Sequence, residues 1–479
     1  MTDAKSTPNP WAATAVLLLG NFMNLIDISI VNVGLPSIQR NLNASATEIE
    51  WVSAAYVLAF AVALLPSGRF GDKLGRKKMF LWGVALFTLA SALCGFAWDM
   101  DSLIAARALQ GIGGAMMVPQ VMAIIHVMFP PDQKARAFAM AGFVISLGAV
   151  TGPLLGGVLI TWDIGGLDWR PIFLVNLPVG IFVILVGSRL IPALGSDRGM
   201  RIDWFSVALF GLVILMIVLP LIEGALLGWP LWCILMMLAA VPMAALFLWR
   251  QFRLQATGRA QLLPVQLLKS GAYVSGVAMV MLHFSTIPSM FLILAIYLQT
   301  GFGLDPLQSG IATAPFPIGV MIGSFIAGRF GANGLALRMA IGVLVLLAGM
   351  ALLRYQGGHP PQPFDMLAVM PPLFLCGLGG GLLISPMFQL VLLSVPGRDA
   401  GAGTGAMQAF QQVGVAVGIA IVSGLFFVRL HEQPGDGYAP AFGHALTYQL
   451  FAYTAVLAIL AVRSWFLARQ PEPKPISAD

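Results

Sequence analysis

Residues 65–80, "LPSGRFGDKLGRKKMF", crowd six charged side chains, Arg69, Asp72, Lys73, Arg76, Lys77 and Lys78, into a chain that is only 10% charged. The tetrapeptide GRFG returns at residues 328–331, in "IAGRFGANGLAL", almost stripped of charge. How the chain is built follows from explaining both the recurrence and the loss. Uninterrupted apolar stretches flank the first copy, and such stretches recur along the whole chain.

With 58% hydrophobic residues, the chain cannot hide its apolar surface behind one water-facing shell. Fourteen runs approach the roughly 20 residues that cross hydrocarbon. They lie near 12–36, 48–67, 79–98, 102–128, 137–161, 170–190, 204–222, 229–249, 271–298, 307–328, 336–353, 366–394, 402–428 and 441–467. Continuous rather than alternating hydrophobicity predicts helices, whose backbones satisfy their own hydrogen bonds in lipid. An all-α polytopic membrane protein is therefore expected.

An even number of passes puts both termini on one side. Of the 26 Lys and Arg, Arg40, Arg170, Arg354 and Arg429 fall in loops on the opposite side and Arg107 lies inside a helix. The other 21 share the side of the termini, which basic loops mark as cytoplasmic. The net charge of +6 then reflects topology rather than nucleic-acid binding. Trp51, Trp98, Trp162, Trp169, Trp204, Trp229 and Trp249 fall near the proposed helix ends, where amphipathic rings favour the interface. The first apolar run is too long for a signal-peptide core and carries Asp27 at its middle, so it is expected to stay in the membrane. Cys94, Cys233 and Cys376 are odd in number and sit in apolar runs, which argues against a disulfide framework. The sequence has no metal-ligand spacing, phosphate-cradling loop or nucleophile elbow. An ATP-driven pump, a hydrolase and a bound cofactor are accordingly not expected; this is not an enzyme.

Three pairs of segments recur. GRFG repeats at an offset of 260; "LQGIGGAMMV" (109–118) matches "LCGLGGGLLI" (375–384), and "LGAVTG" (147–152) matches "VGVAVG" (413–418), each at 266. Every pair lies eight runs apart, which predicts a six-helix unit, two inserted helices and the same unit again: residues 1–190, 191–265 and 266–479. Parallel repeats with a binding site between them are a known transporter plan.

Specific motifs carry a family resemblance. "GRFGDKLGRKK" resembles the signature loop of the major facilitator superfamily, with Gly68, Asp72, Gly75, Arg76, Lys77 and Lys78 on the matching positions. "NLIDISIVNVGLPSI" is similar to the first-helix motif of the fourteen-helix drug/proton antiporters of the QacA/EmrB type, matching at Asp27, Val31, Asn32, Val33, Leu35 and Pro36; Ser29 and Gly34 depart from it. "RALQGIGGA" matches at Arg107, Gln110, Gly111, Gly113 and Gly114, and "GAVTGPLLGG" matches the antiporter motif at Gly148, Gly152, Pro153, Gly156 and Gly157. "WRPIFLVNLPVG" fits the start of the sixth helix. The matches are dense over the first 190 residues, whereas the second half agrees mainly in topology. The resemblance implies the major facilitator fold, two six-helix bundles plus two inserted helices, and proton-coupled drug export.

Physical chemistry gives each motif a role to test. Positive-inside anchoring explains the lysines of the signature loop but not Gly68, Asp72 and Gly75 at fixed spacing. Glycines permit a tight turn against a neighbouring helix. An acid there can hold an Arg or a helix N-terminus of the other repeat in one conformation and release it in another; the resemblance implies that latch for Asp72, with Arg76. The second copy has Ala332 at the matching position, so the charged latch works on one side only. Gly148, Gly152 and Gly156 form a small-residue stripe for close helix approach, and Pro153 permits a kink. Tight packing alone would use the same stripe; the family assigns the seam, with Gly157, to closing the outer side and to antiport.

A charge in mid-membrane costs at least ~2.5–3.5 kcal/mol, which makes Asp27 and Arg107 the proton-coupling candidates against a purely structural ion pair. Asp27, Gln110 and His283 are the candidate substrate contacts, although a lone membrane His, such as His126 or His283, more often bridges helices. Glu223 is expected at the outer end of the seventh helix. The expectation is an exporter of lipophilic or cationic compounds in the inner membrane, with both termini cytoplasmic, its partners being protons, small substrates and membrane lipid, and a periplasmic adaptor left open. One mid-membrane carboxylate implies one proton per cycle. The alternatives are an exporter or facilitator of a metabolite or siderophore, or a non-transporting sensor, which would need a soluble signalling domain.

Overall fold

The computed structural model describes residues 9–329, 334–361, 364–432 and 437–468. Fourteen long helices make up most of it: α1 Pro10–Leu42, α2 Ala46–Leu74, α3 Arg76–Gly95, α4 Met100–Met128, α5 Pro131–Thr161, α6 Pro171–Leu190, α7 Trp204–Leu227, α8 Leu231–Ala256, α9 Gly271–Ile296, α10 Pro315–Arg329, α11 Leu335–Gly358, α12 Met370–Leu393, α13 Ala400–Glu432 and α14 Thr447–Ala468. Thirteen spans among the described residues are long and apolar enough to cross a membrane; α5, 31 residues long, lies outside that set. Ala332 lies outside the described residues.

Local chemistry sets the boundaries. Ser45 and Glu48 cap α2 reciprocally, and Asp99 with Ser102 does the same for α4. Gly75, at φ +102°, lets the chain leave α2 and begin α3 at once, which fixes Arg76 beside the end of α2. Internal prolines at Pro36, Pro66, Pro119, Pro220, Pro242, Pro288 and Pro386 fit helices whose neighbours re-satisfy the freed carbonyls. Two apolar runs prove segmented: Pro306–Thr313 precedes α10 and Tyr438–Ala445 precedes α14. The run through α9 ends in a π-helical turn, Tyr297–Gly301.

Within each half the same partners pair, α2 with α4 and α3 with α4 in the first, α10 with α12 and α11 with α12 in the second. Between the halves α2 packs on α13 and α5 on α10. A shift of eight helices turns the first of these contacts into the second, so these two contacts are related by that shift. Helices α7 and α8 pair with each other, and α7 leans on α2 and α13 from outside. The apolar window of α8 is only 17% buried against 72% for α4, which leaves α8 facing lipid.

Candidate functional site

A buried polar network occupies the interior of the first half. Asp27, in the middle of α1, is fully buried. Its Oδ2 receives Arg107 from α4 at 2.6 Å, and its Oδ1 receives the side-chain amides of Gln110 at 2.7 Å and of Asn176 on α6 at 3.0 Å. Ser91 of α3 accepts from both amides, at 2.8 and 3.3 Å. Arg107 donates its Nε to the carbonyl of Val52 on α2 at 3.0 Å and lies 4.4 Å from the ring centroid of Tyr56, whose hydroxyl donates to Asn24. Five helices therefore meet at one ion pair. Such a pair gains little net stability over apolar packing, but removing either partner strands a buried charge.

Among the described residues, every donor to Asp27 comes from the first six helices. Gln110, expected to touch substrate, is wholly buried and donates to Asp27. Asn176 and Ser91 were missed by the sequence reading. Asn176 is nevertheless the only polar residue between Ile172 and Gly187, a signal visible within "WRPIFLVNLPVG".

The charged loop forms a second cluster, between the halves. Asp72 Oδ1 accepts the backbone N–H of Gly401 and Oδ2 that of Ala402, each at 2.9 Å, in the first turn of α13. Arg76 reaches Asp72 Oδ1 at 2.7 Å and the carbonyl of Gly397 at 2.6 Å. Arg69 binds Asp399 at 2.7 Å. Gly68 abuts the carbonyl of Gly401 so closely that a Cβ would collide with backbone. Nearby, His126 bonds the carbonyl of Val395 at 3.1 Å, Thr404 donates to Pro119 at 3.1 Å, and Ser385 donates to the carbonyl of Ala135 at 3.3 Å. Asp399, the partner of Arg69, was not anticipated.

The glycine stripe Gly148, Gly152 and Gly156 packs α5 on α1. A Cβ on Gly148 would lie 2.7 Å from Leu25 Cβ, one on Gly156 2.8 Å from Ile30 Cγ1, and one on Gly152 would run into the Ser29 hydroxyl. That hydroxyl donates to the Gly148 carbonyl at 3.3 Å. Gly157 faces open space, and the side chain of Pro153 lies outside the described residues. In the second half His283 of α9 is buried against Tyr453 of α14. Glu223 is half-buried in the last turn of α7.

The Major Facilitator Superfamily profile matches residues 17–419. The chain belongs to this superfamily. It is 35% identical over 424 residues to a probable actinorhodin transporter of Streptomyces coelicolor, covering 88% of this chain and 73% of that protein. It is 32% identical over 474 residues to a puromycin resistance protein of Streptomyces alboniger, covering 96% and 92%. The human organic anion transporter TETRAN superposes with a TM-score of 0.67 at 16% identity, over 95% of this chain and all of that one, a likeness of fold. The superfamily comprises membrane transporters, in line with the multi-pass architecture and with a small-molecule substrate.

Proposed function

We propose that the protein is a proton-coupled antiporter that exports lipophilic or cationic compounds by alternating access. The observation that carries this reading is the Asp27–Arg107 pair, a buried ion pair held by five helices of one half. Protonating Asp27 removes the charge that holds Arg107, and the freed guanidinium must find new partners, which rearranges α1 against α4. Substrate favours the arrangement that releases the proton, and a ligand shifts such an equilibrium only through its different affinity for the two forms. The names of the relatives, an actinorhodin transporter and a puromycin resistance protein, support a small antibiotic-like molecule as the exported compound.

Residues 1–190 and 266–479 act as the two moving bundles, with 191–265 as the inserted pair, and α5 completes fourteen crossings. The bonds of Asp72, Arg69 and His126 hold the halves together at the end carrying the basic loops. That end is cytoplasmic by its charge, in the inner membrane, with both termini inside. The stripe from Gly148 to Gly156 keeps α5 tight on α1 so that protons do not leak through the outer side.

The test is transport in proteoliposomes with an imposed pH gradient and puromycin or ethidium as probe. Probe accumulation against its gradient, with proton release that Asp27→Asn abolishes, is the expected result. Probe movement insensitive to the pH gradient, or proton release surviving in Asp27→Asn, overturns the reading.

A further inference from the structure

We propose that His283 is a second proton-accepting centre, built into the second half and matched to Asp27 in the first. The shift of eight helices carries α1, α4 and α6 onto α9, α12 and α14. In the first half the ionisable group on α1 is gripped from α4 and α6; in the second, the one on α9 is gripped from α14, with Cys376 of α12 beside the same tyrosine.

The geometry suits two protonation states. His283 Nδ1 lies 3.1 Å from Tyr453 Oη, that oxygen lies 2.7 Å from Thr286 Oγ1, and Thr286 Oγ1 lies 2.7 Å from the carbonyl oxygen of His283 itself. With the ring neutral, Tyr453 donates to Nδ1 and Thr286 donates to Tyr453, while Nε2 carries the ring proton. A proton arriving from water on Nδ1 reverses the circuit. Nδ1–H then donates to Tyr453, the tyrosine hydroxyl turns to Thr286, and the Thr286 hydroxyl turns to the His283 carbonyl. Only hydroxyl hydrogens move, and each oxygen keeps a partner in both states. A histidine that merely bridges two helices needs one of these bonds, not a closed reversible ring of three.

The surroundings keep the site small and free of acids. Helix α13 presents Gly414 and Gly418 to the backbones of Met281 and Ser285, and α12 presents Gly380, whose Cβ would lie 4.0 Å from His283 Cε1, together with Cys376. From α14 come Tyr453 and Tyr448, the latter 2.8 Å from Ser285 Oγ, while Arg463 binds Ser275 two turns back along α9. Phe284 stands edge-to-face to the imidazole at 5.2 Å. Lys269, on the short helix Val265–Lys269, precedes the first turn of α9, and Tyr297 follows its last. None of the described contacts to the ring comes from a carboxylate, so a proton taken up here leaves a net positive charge in the second half. The molecule then has one proton site per half, and the single proton expected from one carboxylate becomes two.

The test needs no transported compound, which separates its outcome from that of the export reading. Purified full-length protein in lipid nanodiscs is titrated from neutral to acid pH while infrared difference spectra follow the imidazole and tyrosine modes. The expected result is one component of the imidazole protonation signal, beyond those of the other four histidines, that survives Asp27→Asn and is lost in His283→Asn, with a tyrosine C–O mode shifting at the same midpoint. Tyr453→Phe removes the partner that His283 Nδ1 has in both protonation states, so the coupled tyrosine mode is lost and the imidazole midpoint moves. This arm stands even if His283→Asn does not fold. Absence of that component in the wild type, or a midpoint that Tyr453→Phe leaves in place, overturns the proposal.

Discussion

Asp72 in the last turn of α2 accepts the backbone N–H of Gly401 in the first turn of α13 at 2.9 Å, so one carboxylate caps a helix of the opposite half. An anion is favoured at a helix N-terminus by its free N–H groups and by its dipole. Arg76 neutralises the same carboxylate from the start of α3, and Gly68 lets the two backbones come close enough for the bond to form.

Asp72→Asn keeps the shape but loses the charge and one of two acceptor oxygens. Charge-assisted bonds contribute about 1.5–3 kcal/mol each, so the ratio of the closed to the open form at the basic-loop end falls about 10- to 100-fold. Turnover drops while substrate affinity changes little. Spin-label distances between α2 and α13, read beside transport, check this. Lys77→Gln with Lys78→Gln leaves both nearly intact, because Lys77 holds only the Ser188 carbonyl and Lys78 is exposed. Equal damage from the lysine pair would reduce the loop to topological anchoring.

Gly152→Leu forces α5 away from α1, because even a Cβ there meets the Ser29 hydroxyl. Overpacking of this kind costs about 1–3 kcal/mol, so the protein still inserts but dissipates an imposed pH gradient without substrate. Gly157→Leu, in the same motif but facing open space, leaves the gradient intact. Dye-monitored gradient decay in proteoliposomes distinguishes the two. A well-coupled Gly152→Leu protein sinks the seam.

These residues show how far the sequence could be read. Hydropathy, basic-loop asymmetry and the repeat lead to the helix order because lipid permits so few solutions. Asp27, Arg107 and Asp72 stand out because buried charge is expensive. Asn176 and Ser91 do not, because a short polar side chain in an apolar run is common and its value depends on which helix it faces. That Gln110 turns toward Asp27, and that the Gly148 stripe faces α1, are facts about helix rotation. Periodicity barely reports rotation when a helix is apolar all round.

Asn176→Leu removes one of three donors to the ionised Asp27. The carboxylate then keeps only Arg107 and Gln110, and α6 loses this bond to α1. The pH profile of substrate-induced proton release should move away from that of the parent protein. Asn176→Asp is harsher, as it sets a second carboxylate against the first. An unmoved profile in Asn176→Leu would make the amide a packing residue only.

The Asp27–Arg107 pair should behave as a unit. Arg107→Leu leaves the buried Asp27 carboxylate without a countercharge, held only by Gln110 and Asn176, and costs about 3–5 kcal/mol. Asp27→Asn strands the guanidinium, although Val52, Gln110 and the Tyr56 ring still hold it, so its cost is smaller. Combining Asp27→Asn with Arg107→Leu leaves no buried charge, so the double variant should be more stable than Arg107→Leu alone, with a coupling energy of about 1–3 kcal/mol. Thermal unfolding in detergent at neutral pH measures this cycle, and transport separates structure from coupling. Restored stability without restored proton-driven export means that the pair exists for coupling. Restored export in the double variant would make it a structural bond and move proton coupling elsewhere. Additive losses of stability would mean that the two side chains do not depend on each other at all.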